Sequence, residues 1–299
     1  MPVKRILWAS DGSKESDNAL RWAKMFATRF DAKVTALNVL ETLNLDTLEV
    51  ADDLKREISR IDSAIKKKET KRLTHVRTVL EKLGIKAEMR IARGVPHQEI
   101  IKAVRSRAID LIAMGKRGLN LWGRMLLGST TSRVLREAHV PVLTVRQAAR
   151  KLTVKKILVP ASFSPGDSAS LEWALELARK FGAALFLLHV IEVHKSYNGV
   201  TGGFMGRLRD SATKQLQGML DAIPSRKLKG VTLTAKVKAF PRAWSGIVDF
   251  VRQEGIDIIV MSTHARKGAP RLFLGSVAES VTKEAPCPVI TVTPQAVTT

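Results

Sequence analysis

Gly115, Gly118, Gly128 and Ser129 stand in the spacing Gly-x2-Gly-x9-Gly-Ser, with Thr130 and Thr131 directly behind them. Glycines let a backbone approach phosphate oxygens, and hydroxyl side chains donate to them. The free N–H groups of a first helical turn add to this along the helix dipole. The chemistry these residues suggest is phosphate holding. Ser10-Asp11 closes another apolar run, Ile6-Leu7-Trp8-Ala9, and a carboxylate there accepts hydrogen bonds from sugar hydroxyls or an exocyclic amine. The same carboxylate suits capping of a helix that starts near Lys14, and the sequence leaves both jobs open. Val39 ends the next apolar run and offers backbone groups and an apolar wall to a flat base.

These residues need elements to hold them. Asp110-Leu111-Ile112-Ala113-Met114 reads as a buried parallel strand running into Gly115, and Ser132 to Ala138 has helical apolar spacing. Strands are predicted near Arg5 to Ala9, Lys33 to Val39, Lys86 to Ala92, Leu111 to Met114 and Val142 to Val145, with helices between them. Alternation of this kind predicts an α/β fold with an open, doubly wound parallel sheet of five strands. Such sheets place ligands at the carboxyl ends of their strands, where Asp11, Val39, Met114 and Gly115 all fall.

The pattern occurs twice. Lys4-Arg5-Ile6-Leu7 answers to Lys155-Lys156-Ile157-Leu158, Leu37-Asn38-Val39 to Leu188-His189-Val190, and Leu127-Gly128-Ser129 to Leu274-Gly275-Ser276. Two repeats of this length mean a tandem duplication rather than a solenoid. Residues 1–147 are expected to form the first domain and 155–294 the second, with the polar, basic stretch Gln147 to Val154 at the boundary. The second copy is degenerate at the phosphate motif. Ser162 stands in place of Asp11, Val190 matches Val39, Ser262 takes the first glycine position and Ala265 the second, while Gly275 and Ser276 are kept. A Cβ at Ala265 obstructs both positive φ and close phosphate approach, and Lys267-Gly268 compensates only in part.

Asp46 to Leu83 carries an apolar stripe through Leu54, Ile58, Ile61, Ile65, Leu73, Val76, Leu80 and Leu83, which predicts a long amphipathic helix with a break near Thr70. Lys55, Arg56, Arg60, Lys66, Lys67, Lys68, Lys71, Arg72 and Arg77 are assigned to its outer face. The matching stretch of the second half, Gly202 to Ile223, is less basic, and Gly199 with Gly202-Gly203 predicts a flexible loop at its start.

Composition sets the remaining bounds. The 299 residues carry a net charge of +22, which suits contact with polyanions, whether nucleotides, nucleic acid, an acidic partner or an anionic surface. No apolar run is long enough to span a bilayer, so membrane insertion is not expected and a cytoplasmic location is. Cys287 is the single cysteine; it excludes an internal disulfide and reads as a packed small hydrophobe. His97 reads as a surface residue opening a helix, and His189 and His264 as packing residues near the second site. The histidines and Cys287 do not form a zinc spacing. No Gly-x4-Gly-Lys-Ser/Thr loop is present, which excludes a P-loop motor or kinase.

Taken together, these motifs resemble the universal stress protein family, twice over nearly the whole chain. The resemblance implies ATP as the ligand, with Mg2+ as its companion ion. It implies that Asp11 and Val39 face the nucleoside, Gly115 and Gly118 the ribose and phosphates, and Gly128, Ser129, Thr130 and Thr131 the phosphates. Ala9 stands where the family commonly has proline. The resemblance further implies pairing of the last strands, Val142 to Val145 and Val289 to Val292, between the domains, and association of two tandem chains into a homodimer. A stress-response regulator that works through nucleotide-dependent binding is the expected function. No general base is evident beside a bound γ-phosphate, so hydrolysis is expected to be slow at most. The alternatives are a nucleic-acid-binding protein that uses the basic helix, and a slow ATPase.

Overall fold

The computed structural model of the chain describes residues 3–41, 52–116, 127–146, 152–193, 202–263 and 274–293. In the first half the elements are β1 (Arg5–Ser10), α1 (Lys14–Phe30), β2 (Lys33–Leu40), α2 (Asp52–Lys82), β3 (Ala87–Arg93), α3 (Pro96–Arg107), β4 (Leu111–Gly115), α4 (Ser129–Glu137) and β5 (Val142–Val145). The second half repeats them as β6 (Lys156–Pro160), α5 (Asp167–Phe181), β7 (Ala184–Glu192), α6 (Gly202–Asp221), the short α7 (Ser225–Leu228), β8 (Leu233–Phe240), α8 (Ala243–Glu254), β9 (Ile258–Ser262), α9 (Ser276–Glu284) and β10 (Val289–Val292).

The strands form one 10-stranded sheet in the order β3-β2-β1-β4-β5-β10-β9-β6-β7-β8. Every pairing is parallel except β5 with β10. Each half is thus the expected doubly wound sheet, and the two halves are joined through their last strands. Leu143 faces Ile290 across that junction. Near-twofold hydrogen bonds flank it, from Thr144 Oγ1 to the Val289 carbonyl at 3.2 Å and from Thr291 Oγ1 to the Val142 carbonyl at 3.4 Å.

Because both faces of a parallel sheet are covered, its strands read as near-continuous apolar runs. The core accordingly divides into two layers. Trp8, Trp22, Phe26 and Leu73 of the first half share one face with Trp173, Leu177 and Leu216 of the second. Ile100, Val104 and Leu135 share the opposite face with Phe250, Val251 and Val281. Helix α1 shows how the sequence builds this. Ala19, Trp22, Ala23, Phe26 and Ala27 recur at helical spacing and are buried. At its end Phe26 meets Phe181 of α5, with ring centroids 5.5 Å apart, so the two domains also touch through aromatic rings.

One staple is repeated. The Asp110 carboxylate accepts from the backbone N–H groups of Lys4 and Arg5 at 2.7 and 2.8 Å, and Asp257 accepts from those of Lys155 and Lys156 at 2.7 and 2.9 Å. Each aspartate ties the start of its domain's first strand to the turn before the fourth.

Two expectations are corrected. Helix α2 runs through Thr70 without a break. Thr70, Thr74 and Thr78 each donate a hydroxyl hydrogen bond to the carbonyl four residues earlier, at 2.7, 2.8 and 3.1 Å, so these side chains satisfy themselves within the helix. Gly202 and Gly203 belong to the first turn of α6 instead of a loop; the apolar face that includes buried Ala212 and Leu216 outweighs the local glycine preference. Gly199 lies outside the described residues.

Candidate functional site

The carboxyl ends of β1, β2 and β4 and the start of α4 surround a cavity of about 560 Å3, within the usual range for small-molecule sites. Ser10, Asp11, Val39, Met114, Gly115, Gly128, Ser129, Thr130 and Thr131 all line it. Gly118 lies outside the described residues. Residues far apart in sequence meet here because parallel strands share one carboxyl edge.

The end of the cavity at α4 is built from backbone. Gly128 is the N-cap of α4 at φ −60° and ψ 145°, and no side chain caps the helix. Among the described residues the first N–H groups of α4 are therefore left without an intrahelical or capping partner. The Gly128 N–H donates to the Lys116 carbonyl at 2.9 Å and Thr131 Oγ1 to the Gly115 carbonyl at 2.9 Å, which pins the helix start to the end of β4. Gly115 has a packing reason beyond ligand approach. A Cβ there would lie 3.0 Å from the backbone carbon and Cβ of Glu15 and from the Ser16 nitrogen, so glycine lets β4 end tight against the start of α1 without displacing it.

The other end of the cavity is built from side chains. Ser13, not Asp11, caps α1: its Oγ accepts from the Ser16 N–H at 3.1 Å. Asp11 makes a local turn, with Oδ1 accepting from the Ser13 N–H at 3.0 Å, and the residue is exposed at the cavity rim. Beneath it the buried Trp8 donates Nε1–H to the Ser16 carbonyl at 2.7 Å. Asn38 donates to the Ser10 carbonyl at 3.0 Å.

Helix α2 contributes more than the sequence suggested. Asp62, Ile65 and Glu69 line the cavity with Glu41 of the segment after β2. Arg72, placed by sequence on the outer basic face, turns inward. Its Nη2 donates to Ser10 Oγ at 2.9 Å, its Nε to Glu69 Oε2 at 2.8 Å, and its guanidinium lies 5.7 Å from the centre of the Trp8 ring. The helical phase held the signal: Ile65, Glu69, Arg72 and Val76 follow at steps of four, three and four, in line with buried Leu73 and Leu80. Among the described residues no group of three or more His, Cys, Asp or Glu could hold a metal ion.

The second domain keeps one end of this arrangement and rebuilds the other. Gly275 is the N-cap of α9, again without a side-chain cap, and its N–H donates to the Thr263 carbonyl at 2.8 Å. At the opposite end the carboxylate has moved. Ser162 occupies the Asp11 position, and Asp167 stands where Ser16 does, 2% exposed. Asp167 accepts from the N–H groups of Ser162 and Ser164 at 2.7 and 3.1 Å and from both of their hydroxyls. Phe163 occupies the Gly12 position in the same left-handed region, φ 58° against 80°. Its ring packs on His189, centroids 4.3 Å apart, and His189 Nδ1 is 2.9 Å from the Ala161 carbonyl. His189 is therefore a packing residue. Val190 is buried and lies close to Gly246 of α8, where an added Cβ would come within 2.8 Å of Val190 Cγ1. Ser262 ends β9 at the first glycine position. Ala265, His264 and Lys267-Gly268 lie outside the described residues.

His97 departs from its expected surface position. It is 7% exposed, and its Nε2 sits 3.7 Å from the Glu137 carboxylate, between α3 and α4. Cys287 is packed, and burial pushes its thiol up to about 12. Beside it lies Lys116, 2% exposed, whose ammonium donates to the Ala285 carbonyl across the domain junction at 3.0 Å. Burial lowers the Lys116 pKa to about 8, partly offset by Cys287, Glu15 and Glu284 and reinforced by Arg146.

Fold and cavity together define a duplicated, doubly wound α/β protein with a cavity at the carboxyl edge of its first domain. The chain belongs to the universal stress protein family, whose model matches residues 2–146 and again 153–293. It is similar along its length to a universal stress protein of Mycolicibacterium smegmatis, 26% identical over 307 aligned positions that cover 97% of each chain. It is also 28% identical to a universal stress protein of Methanocaldococcus jannaschii over 154 positions, 48% of this chain and 95% of the relative. The crystal structure of a universal stress protein from Archaeoglobus fulgidus superposes with a TM-score of 0.69 at 24% identity, covering 98% of this chain and all 100% of that one, which bears on the fold. No helix among the described residues is long and apolar enough to cross a membrane.

Proposed function

We infer that this chain is an ATP-binding universal stress protein in which the first domain holds the nucleotide and occupancy regulates a partner. The observation that carries this reading is the meeting, in one cavity, of the β1 carboxylate, the wall at Val39 and the uncapped N-terminus of α4. An uncapped helix start favours phosphates, and the acceptor at Asp11 suits the hydroxyls or amine of a nucleoside. Mg2+ would travel on the phosphate oxygens. Asp11, Glu41, Asp62 and Glu69 are the carboxylates that line the cavity; in this reading they serve binding, turnover is slow at most, and the chemistry is recognition. Binding that is stronger in one conformation than another shifts the population of surfaces offered to a partner.

The test is calorimetric titration of the full chain with ATP, together with mass spectrometry of small molecules released from the purified protein. One site per chain, filled by adenine nucleotide, is the expected result. Absence of binding after ATP incubation would overturn the reading.

A further inference from the structure

The cavity wall supplied by α2 contains a carboxylate with a fixed orientation and an unused oxygen. Two hydrogen bonds and an ion-pair contact converge on Glu69 Oε2: Arg72 Nε donates at 2.8 Å and Asn38 Nδ2 at 3.3 Å, and Arg72 Nη2 lies 2.8 Å away. Oε1 has no donor among the described residues. The Glu69 side chain is 14% exposed and lines the cavity. Rotating the carboxylate away would break the Arg72 contacts, so Oε1 is held as a pre-oriented acceptor.

Asn38 adds to the hold on Glu69. Its Nδ2 serves two acceptors, the Ser10 carbonyl and Glu69 Oε2, and this fixes the orientation of the amide. Oδ1 has no donor among the described residues, but it is itself enclosed in the protein, so Asn38 serves to fix Glu69 and does not present an acceptor to a ligand. With Asp11 at the rim, this end of the cavity is rich in acceptors and poor in donors. A buried acceptor left unpaired is costly, so such a wall favours a ligand that presents N–H or O–H groups and disfavours one that presents a carbonyl.

We propose that Glu69 is a specificity-determining residue that accepts a hydrogen bond, through Oε1, from a donor at the nucleoside end of the ligand, with Arg72 as its positioning residue. This rests on the nucleotide reading of the cavity. A nucleoside offers such donors in two places, the exocyclic amine of the base and the ribose hydroxyls, and analogues separate them.

The experiment measures the affinity of the full chain for ATP, inosine triphosphate, 2′-deoxy-ATP and 3′-deoxy-ATP by calorimetry, in the wild type and in Glu69→Gln. In the variant the amide oxygen stays with Arg72, and the NH2 group takes the place of Oε1 and opposes the ligand's donor. Loss of a negative charge strengthens binding of every polyanionic ligand alike, so the preference for ATP over each analogue is the informative quantity. The wild type should prefer ATP over at least one analogue by about tenfold or more, and Glu69→Gln should abolish that preference while leaving the others unchanged. Glu69→Asp, which keeps the charge but shortens the reach, should weaken the same preference. Arg72→Met should do so as well, by releasing the carboxylate. Ratios unchanged in all three variants, or a wild type that binds ATP without discriminating any analogue, would overturn the assignment while leaving the nucleotide reading intact. A wild type that binds no nucleotide would overturn that reading instead.

Discussion

The two domains share the uncapped helix start after their fourth strands and differ in the turn after their first strands. Gly128 and Gly275 both begin helices without a side-chain cap, and both donate to the carbonyl of the residue that follows the fourth strand. That geometry is set by backbone hydrogen bonds, which tolerate many side-chain changes. The other end is set by side chains, and there the copies part. In the first domain the carboxylate of Asp11 is exposed at the rim and Ser16 lies buried below; in the second Asp167 lies buried and Ser162 stands at the rim. Exchanging the two positions turns a group available to a ligand into one consumed by its own turn. The Phe163–His189 pair replaces Gly12 and Asn38 in the same exchange. One copy thus leaves its carboxylate exposed at a cavity, and the other buries it in its own turn.

This contrast can be broken first at Asp167. Removing a buried carboxylate that accepts from two backbone N–H groups and two hydroxyls should destabilise the protein by about 3 kcal/mol in Asp167→Ala, whereas Ser16→Ala should cost about 1 kcal/mol. Urea unfolding measures both, and equal losses would remove the claim that the second turn has become structural. The next effect is on binding. Ser129→Asp places a carboxylate in the first turn of α4, where it suits the helix dipole but repels phosphates. It should lower ATP affinity by about a hundredfold with no loss of melting temperature, a cost of about 2.7 kcal/mol. The paired change Ser276→Asp should leave affinity unaltered, and a matching loss there would mean that both copies bind.

Asp11→Ala should reduce ATP affinity about tenfold, consistent with loss of a charged hydrogen bond, while Ser162→Ala should have no effect in the same titration.

The smallest effect lies at the domain junction, where Lys116 of the first copy answers to Thr263 of the second. The pKa of Lys116 is lowered from 10.5 to about 8 in the folded state, so between those values the unfolded chain binds more protons and stability rises with pH. The gain should be about 1 kcal/mol from pH 8 to 9. Cys287 acts in the opposite direction. Its pKa is raised from 9.0 to about 12, so the unfolded thiol ionises first and stability falls above pH 9. Melting curves of the wild type should therefore rise to about pH 9 and level off. Cys287→Ala should continue to gain up to about pH 10.5, and Lys116→Met should lose the rise. A rise that persists in Lys116→Met would show that another group is responsible.

Much of the fold was legible because local pattern and global architecture agree. Ile6-Leu7-Trp8-Ala9 and Leu111 to Met114 read as buried strands because a parallel sheet covers both faces, and their carboxyl ends placed Asp11 and Gly115 on one edge. His97 and Arg72 were misplaced for a shared reason: a polar side chain on a helix is assigned to solvent unless its phase relative to the buried face is followed through. The ladder of threonines in α2 hid its continuity, since Thr70 resembles a breaker until its hydroxyl is seen to bond within the helix.

By itself, then, the sequence determined the duplication, the alternation of strands and helices, and the Gly-x2-Gly-x9-Gly-Ser spacing. All three are recorded in periodicity and order, which survive reading along the chain. Only the tertiary structure decided that α2 lines the cavity with Asp62, Ile65 and Glu69, that Arg72 turns inward to Ser10, that Asp167 is buried in its own turn in the second copy, and that Lys116 crosses into the other domain. These depend on which way a side chain turns at a contact between elements distant in sequence. No local spacing encodes that direction; the packing of the sheet and its helices sets it.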